Sequence, residues 1–483
     1  MEEHLLINGQ MVLGEGAVRH IVNPASEETI VVVREASVEQ VEQAIQAARN
    51  AFDATSWKTD KEERVRLLLA LAQKLELQCE EIAILESKNT GKPFREAKID
   101  VEDSVNCLKY YADLIERQKK ESLEQWDGST SVVQNVPYGV VALIVPWNFP
   151  LLLGIWKLAP ALAAGNTIVF KPSELTPLTM IKLAELTREC GFPAGVFNLV
   201  PGDGPSVGQT LVTSGAVDKV SFTGGTVTGR LIHEHCAKSF KRVSLELGGK
   251  SPMLVFSDVP LDEAVEWALF GSFFNQGEVC VASSRILVEE TIYQTFVEKL
   301  VARARTIKLG DPLKEETEMG PLISKVHLEK VESYIEIGEK EGARRQYGGE
   351  RIGQEGYFVT PVIFTDVTPE MTIVQEEIFG PFSVIQSFNG EEEAIKLANG
   401  TKYALAAGIL SNDLDRANRV AERIQAGTIW INSYHTPFVN APWGGFKQSG
   451  IGRELGPQGL ASYSEPKHVN VTKKLGQLGW YSM

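Results

Sequence analysis

The sequence has no CxxC pair among its five cysteines (Cys79, Cys107, Cys190, Cys236 and Cys280), and its seven histidines fall at no zinc-like spacing. This predicts separate, reduced thiols in an intracellular protein and no metal site. A basic excess is also missing: 48 Lys and Arg against 63 Asp and Glu leave a formal charge of -15. Such a surface argues against general binding to nucleic acid or to an anionic membrane. The start, MEEHLLINGQ, lacks the basic-then-apolar pattern of a secretory signal, so the cytoplasm is the expected compartment. Nor is there a long unbroken apolar run. The best candidate, 140–165, contains Pro146, Pro150 and Pro160 with Asn148 and Lys157, and reads as two short buried elements around a loop. There is no internal repeat.

What is present is an ordinary globular composition, 43% hydrophobic and 23% charged over 483 residues, enough for about two to four domains. SVEQVEQAIQAARNAF (37–52) predicts a helix. Ser37 is its cap, Gln40 completes a capping box, and Val38, Val41, Ile45, Ala48 and Phe52 mark one apolar face. A second helix is expected over 60–88, stopped by Gly91 and Pro93, and a third over 98–118. Strands VVALIV, TIVFK, VFNLV and KVSFT then alternate with helical stretches, which predicts a mostly parallel sheet covered by helices. A second alternation begins after 250 (SPMLVF, a helix from 261, SSRILVE, a helix from 290, a strand near 357–364) and predicts a second α/β unit. HVNVTK in the tail is a strand with no core of its own, expected to join another sheet, that of a neighbouring subunit included.

Several loops carry chemistry. SFTGGTVTGR places Gly224, Gly225 and Gly229 about a strand end, where free backbone N–H groups can face phosphate; a glycine turn without a ligand reads equally well. In FKPSE, Lys171 and Glu174 are either ribose or phosphate contacts or a solvated ion pair. Glu246, at the end of an apolar strand in SLELGGKSP, is either a general base raised by burial or half of a structural ion pair. In FFNQGEVCVASSR, Cys280 is either a packed thiol or a nucleophile whose pKa backbone N–H groups depress. No histidine is spaced to activate it.

LELGGKSP, FNQGEVC, PWNFP, KPSE, FTGG, QEEIFGPF and PWGGFKQSGIGRELG occur here in one chain and in order. On these seven blocks the sequence resembles the NAD(P)-dependent aldehyde dehydrogenase superfamily, from LINGQ to the tail. The resemblance implies an α/β fold with a parallel-sheet NAD-binding domain (1–118 and 138–248) and an α/β catalytic domain (249–441). It adds a cleft-lining segment (442–460) and a small β oligomerisation extension (119–137 and 461–483), giving homodimers or homotetramers. It implies that Cys280 attacks the aldehyde and that Asn148 and the Cys280 N–H hold the oxyanion. Hydride leaves to the nicotinamide, and Glu246 activates the water that hydrolyses the thioester. Lys157 and Glu454 would serve proton exit from Glu246. Lys171 and Glu377 would hold ribose hydroxyls, with Phe379, Trp147 and Gly202 lining the cofactor cleft. Gly225 stands where many members have Ser, and Pro466 where Val is usual.

Within the superfamily, Phe149, Trp156, Phe274 and Trp443 match an aromatic box found in betaine-aldehyde and aminoaldehyde dehydrogenases, although Phe149 and Phe274 are positions usually held by Tyr or Trp. Each aromatic face is worth about 0.5–2 kcal/mol to a trimethylammonium group. Asp100 and Asp103, at i,i+3, match carboxylates at the tunnel mouth of that subfamily. A small cationic aldehyde is therefore the expected substrate, with a neutral aldehyde such as phenylacetaldehyde as the alternative. Glu174 would repel a 2′-phosphate, so NAD is expected over NADP. Glu246 favours water as acyl acceptor over phosphate or coenzyme A. A non-catalytic protein on the same scaffold would be expected to lose Cys280 or Glu246, and both are present.

Overall fold

Strands Val140–Ile144, Thr167–Lys171 and Lys219–Thr223 have every residue buried, which suits the middle of a sheet covered on both faces. In the computed structural model, which describes residues 4–119 and 121–481, they lie in an eight-stranded sheet. Its central order is Phe197–Leu199, Thr167–Lys171, Val140–Ile144, Lys219–Thr223, Arg242–Glu246, all parallel. Strand order reverses between Val140–Ile144 and Lys219–Thr223. The crevice beyond the carboxyl ends of such strands is where open α/β sheets bind ligands.

The second alternation forms its own seven-stranded sheet, parallel except for the edge strand Arg344–Tyr347. The strand expected near 357–364 is Val362–Thr365. Gly450–Ile451, from the 442–460 segment, closes the first sheet antiparallel to Arg242–Glu246, and so ties that segment to Glu246.

Helix Val38–Ala54 carries the expected capping box; Val38 itself is exposed, so the apolar face begins at Val41. The single helix expected over 60–88 is two, Lys61–Leu77 and Cys79–Thr90, broken at Gln78. No Gly or Pro marks that break. It lets each segment pack separately on the helix Phe94–Arg117, which starts earlier than expected because Pro93 begins it. Gly91 ends the preceding helix in the left-handed conformation. Pro160 lies inside the buried helix Pro150–Ala164 without ending it.

The tail strand Ser464–Val471 pairs with Thr130–Pro137 of its own chain, and Glu121–Glu124 completes a three-stranded sheet. The expectation of pairing with a neighbour's sheet is corrected to that extent. Pro466 is accommodated because Ser464–Val471 is an edge strand. Residues 1–3, 120, 482 and 483 of the expected domain segments lie outside the described residues.

Candidate active site

Chain direction at the carboxyl end of Val140–Ile144 places Trp147, Asn148 and Phe149 in a short loop, and Pro150 then starts the next helix at its first position. From the other side, helix Leu261–Phe273 ends in a tight turn. Asn275 (φ 48°), Gln276 (φ 56°) and Gly277 (φ 69°) are successively left-handed there. Two non-glycine residues in that conformation cost about 1–3 kcal/mol each, so the surroundings must hold the turn that leads to Cys280. Glu246 ends its strand, and Leu247 separates it from Gly248 and Gly249. A Cβ on Gly248 would strike the Glu377 carboxylate, and one on Gly249 the Cys280 carbonyl. The two glycines therefore allow three segments to meet.

They meet at a chamber of about 240 Å³ lined by Trp147, Asn148, Gly224, Gly225, Glu246, Cys280, His327, Glu377 and Phe379, among others. A cleft of about 550 Å³ shares its Trp147, Gly224 and Gly225 wall and continues past Lys171 and Glu174. The Asn148 amide donates to the Glu278 carbonyl at 2.8 Å, which leaves its second N–H for the chamber. Neither Glu246 oxygen has a hydrogen-bond partner, and the residue is 5% exposed. Burial, reinforced by Glu454, pushes Glu246 well above the usual carboxylate range, against the pull of Lys157. Lys157 and Glu454, both buried, form an ion pair. Glu377 accepts the Gly249 N–H at 2.9 Å, and burial raises it to about 7.

Cys280 is half-buried. Its pKa moves opposite to expectation: burial raises the thiol, Glu377 and Glu246 add to this, and the N–H groups of Cys280 and Val281 only partly oppose it. The resting group is a thiol that must lose its proton before it attacks.

Lys171 donates to the carbonyls of Pro172 (2.8 Å) and Gly202 (2.6 Å) and lies 3.8 Å from Glu174. Gly202 thus holds Lys171 and lines neither space. Gly229 lines neither space as well; it sits in the helix Thr226–Ala237, where a Cβ would collide with Leu247. At Gly225, the residue before that helix, a Cβ would meet nothing within 4 Å. The departure from Ser there leaves open room at a helix N-terminus, where backbone donors favour phosphate. The cleft at the strand-order reversal, Lys171, Glu174 and this helix start fit a dinucleotide.

The four predicted box rings line neither space. They form two pairs in and against the main hydrophobic core: Trp156 with Trp443 (5.2 Å, 68°) and Phe149 with Phe274 (6.4 Å, 24°). Asp100 is also corrected. It is 2% exposed and paired with Lys92 at 2.5 Å, so it lies inside the protein and not at a tunnel mouth. Asp103 is half-buried, and burial raises it to about 6.

Sequence reasoning missed Lys92, whose ammonium lies 3.8 Å from the Phe149 ring centroid. It also missed His327, which packs edge-on to Trp147 at 5.1 Å and bonds the Phe379 carbonyl. Burial lowers His327 to about 4, so it is neutral. Neither stands in a stretch whose spacing marks a function.

A chamber that gathers a thiol, a carboxylate and a carboxamide at the end of a nucleotide-type cleft defines a class: a two-sheet α/β oxidoreductase. The aldehyde dehydrogenase family model matches residues 13–469. The chain is 46% identical, over 100% of both chains, to a betaine aldehyde dehydrogenase of Bacillus subtilis (strain 168). It is 48% identical to the cytosolic aldehyde dehydrogenase 1 of Mus musculus, covering 93% of this chain and 90% of that one. Its structure superposes with TM-score 0.97 and 42% identity on a Staphylococcus aureus betaine aldehyde dehydrogenase solved with NAD+, covering 100% and 97%. The chain belongs to the aldehyde dehydrogenase family. Among the described residues no helix is long and apolar enough to cross a membrane, and no group of three or more His, Cys, Asp or Glu is placed to hold a metal.

Proposed function

We propose that this protein oxidises an aldehyde to its carboxylate with NAD, through a thioester on Cys280. The observation that carries the reading is the shared chamber of Cys280, Asn148 and Glu246 at the end of the cleft. Cys280 passes its proton to the ionised Glu246 carboxylate or to water, and its sulfur bonds to the aldehyde carbon. The free Asn148 N–H and the Cys280 N–H face the oxygen that becomes negative. Bound NAD would supply the hydride acceptor. Glu246 then takes a proton from water, the water oxygen bonds to the acyl carbon, and the sulfur leaves as thiolate. Lys157 and Glu454, beside Glu246, carry that proton away. Lys171, Glu174 and Glu377 would hold the ribose hydroxyls, and the Glu174 charge supports NAD over the 2′-phosphorylated cofactor.

For the substrate we propose a small cationic aldehyde of the betaine-aldehyde or ω-aminoaldehyde kind. The full-length similarity to the B. subtilis enzyme supports it. A specific observation favours the second reading, a neutral aldehyde. Lys92 already occupies one face of Phe149, and it is paired with Asp100. Comparing kcat/KM for betaine aldehyde, 4-aminobutyraldehyde, phenylacetaldehyde and hexanal decides between the two. Higher values for the amines are expected. A neutral aldehyde ahead of every amine by about tenfold, 1.4 kcal/mol, would leave the family intact and end the cationic reading.

A further inference from the structure

Both loops that form the chamber are gripped from outside by buried carboxylates of the N-terminal helices. Glu86, 0% exposed, accepts the Leu151 N–H at 3.3 Å and the Thr179 hydroxyl at 2.6 Å. It therefore satisfies a donor at the start of the helix that follows Asn148. Glu96, 4% exposed, accepts the Asn275 N–H at 3.0 Å. Lys92, fully buried, is the ammonium that Glu86, Glu96, Asp100 and Glu278 all feel.

We propose that Glu96 is a positioning residue for the reaction, holding the turn that presents Cys280 in register with Asn148. The inference rests on the proposed roles of those two residues. Asn275 and Gln276 are left-handed without being glycine, and such backbone persists only where neighbours fix it. Two sets of contacts fix Asn275. Its side-chain amide donates to the carbonyls of Asn148 (3.3 Å) and Glu278 (3.2 Å), and its backbone N–H donates to Glu96. Asn148 in turn donates to the same Glu278 carbonyl. Glu96 is thus the outer anchor of a chain of hydrogen bonds joining the oxyanion donor to the nucleophile turn. Without it the Asn275 N–H, 2% exposed as a residue, is buried with no acceptor. The turn is then free to relax and the spacing of sulfur and amide is lost. A glutamine at 96 keeps an acceptor oxygen at the same reach; an alanine does not.

Glu96→Ala, Glu96→Gln and Cys280→Ser, each as the full chain, test this. Glu96→Ala is expected to lower kcat about 30- to 100-fold for cationic and neutral aldehydes alike, the size of effect a displacement of about 1 Å produces. KM for NAD should stay within about twofold, and iodoacetamide should alkylate Cys280 at a changed rate. Glu96→Gln should return kcat to within about threefold. A folded Glu96→Ala protein with wild-type kcat, or a Glu96→Gln protein as slow as Glu96→Ala, would overturn the proposal. If Glu96→Ala does not fold, Glu96→Asp, one methylene short, should lose about tenfold in kcat, and wild-type turnover there also overturns it. Full activity in Cys280→Ser would sink the nucleophile assignment itself. An active Glu96→Ala beside an inactive Cys280→Ser sinks only the positioning role.

Discussion

Glu246 and Cys280 share one chamber, and burial shifts both in the same direction, toward the protonated form. A site at rest as neutral thiol and neutral acid needs one proton to leave before either half of the reaction. The unpartnered Glu246 oxygens are free to turn toward sulfur or toward water. If water is the main client, Glu246→Gln slows deacylation more than acylation, and stopped-flow records a burst of about one NADH per site before a slow phase. A first turnover as slow as the steady state would place the glutamate's work before acylation. Cys280→Ser should retain NAD binding within a few-fold and lose at least about 10³ in turnover, because a hydroxyl at neutral pH is the weaker nucleophile; a tenth of wild-type activity would refute the covalent route. At this scale the sequence was informative for Cys280, Glu246 and Asn148 because each sits in a distinctive block. It misleads for Asp100, which with its i,i+3 partner Asp103 is expected at a tunnel mouth and is instead buried. The interior cation that claims Asp100, Lys92, comes from the turn before that helix and has no sequence pattern announcing the pairing. The direction of the Cys280 shift was likewise illegible, since it depends on carboxylates brought near only by the fold.

Strands with continuous apolar runs were readable wherever β-branched residues dominate, as in VVALIV and TIVFK. Ala406–Leu410, AAGIL, forms a strand in the second sheet with no such signal; its place between two parallel neighbours supplies what its propensity lacks. The break at Gln78 was invisible for the same reason, because packing against Phe94–Arg117 decides it. The tail strand was legible as a strand, but its partner was not. Ser464–Val471 covers Thr130–Pro137 of its own chain, while Trp126 (97% exposed), Leu475 and Trp480 stay in solvent. Exposed large apolar side chains about a small sheet with an open edge suit association with a second copy. Removing 464–483 uncovers the Thr130–Pro137 edge and deletes Leu475 and Trp480, so a smaller species in solution and a lower unfolding midpoint are expected. Light scattering with thermal unfolding checks this; an unchanged oligomer of full stability would refute the role given to the tail.

Over the whole molecule, burial has moved a set of carboxylates and amines toward neutrality from opposite sides. Glu96 is raised to about 8, and Asp100 and Glu377 to about 7, from ordinary values of 4.5, 3.8 and 4.5, with burial the largest cause in each. Lys219 and Lys250 are lowered to about 7 by burial. The signs oppose. Between about pH 4.5 and 8 the folded protein holds carboxyl protons that the unfolded chain has released, so these acids make stability fall as pH rises through that window. Between about 7 and 10.5 the unfolded chain holds amine protons that the folded protein lacks, so the two lysines make stability rise with pH there. These five groups by themselves predict least stability near pH 7–8, with gains toward pH 5.5 and toward pH 9.5; His327 and His435, which burial lowers to about 4, reduce the gain on the acid side. Glu96 feels the charges of Lys92, Arg95 and Asp100 and accepts the Asn275 N–H. Glutamine there removes the titration and keeps the acceptor. The unfolding midpoint of Glu96→Gln, measured at one scan rate at pH 6.0 and pH 8.5, should therefore drop less between the two than that of the wild type. Equal drops would mean that Glu96 is ionised at both pH values, its burial offset by Lys92.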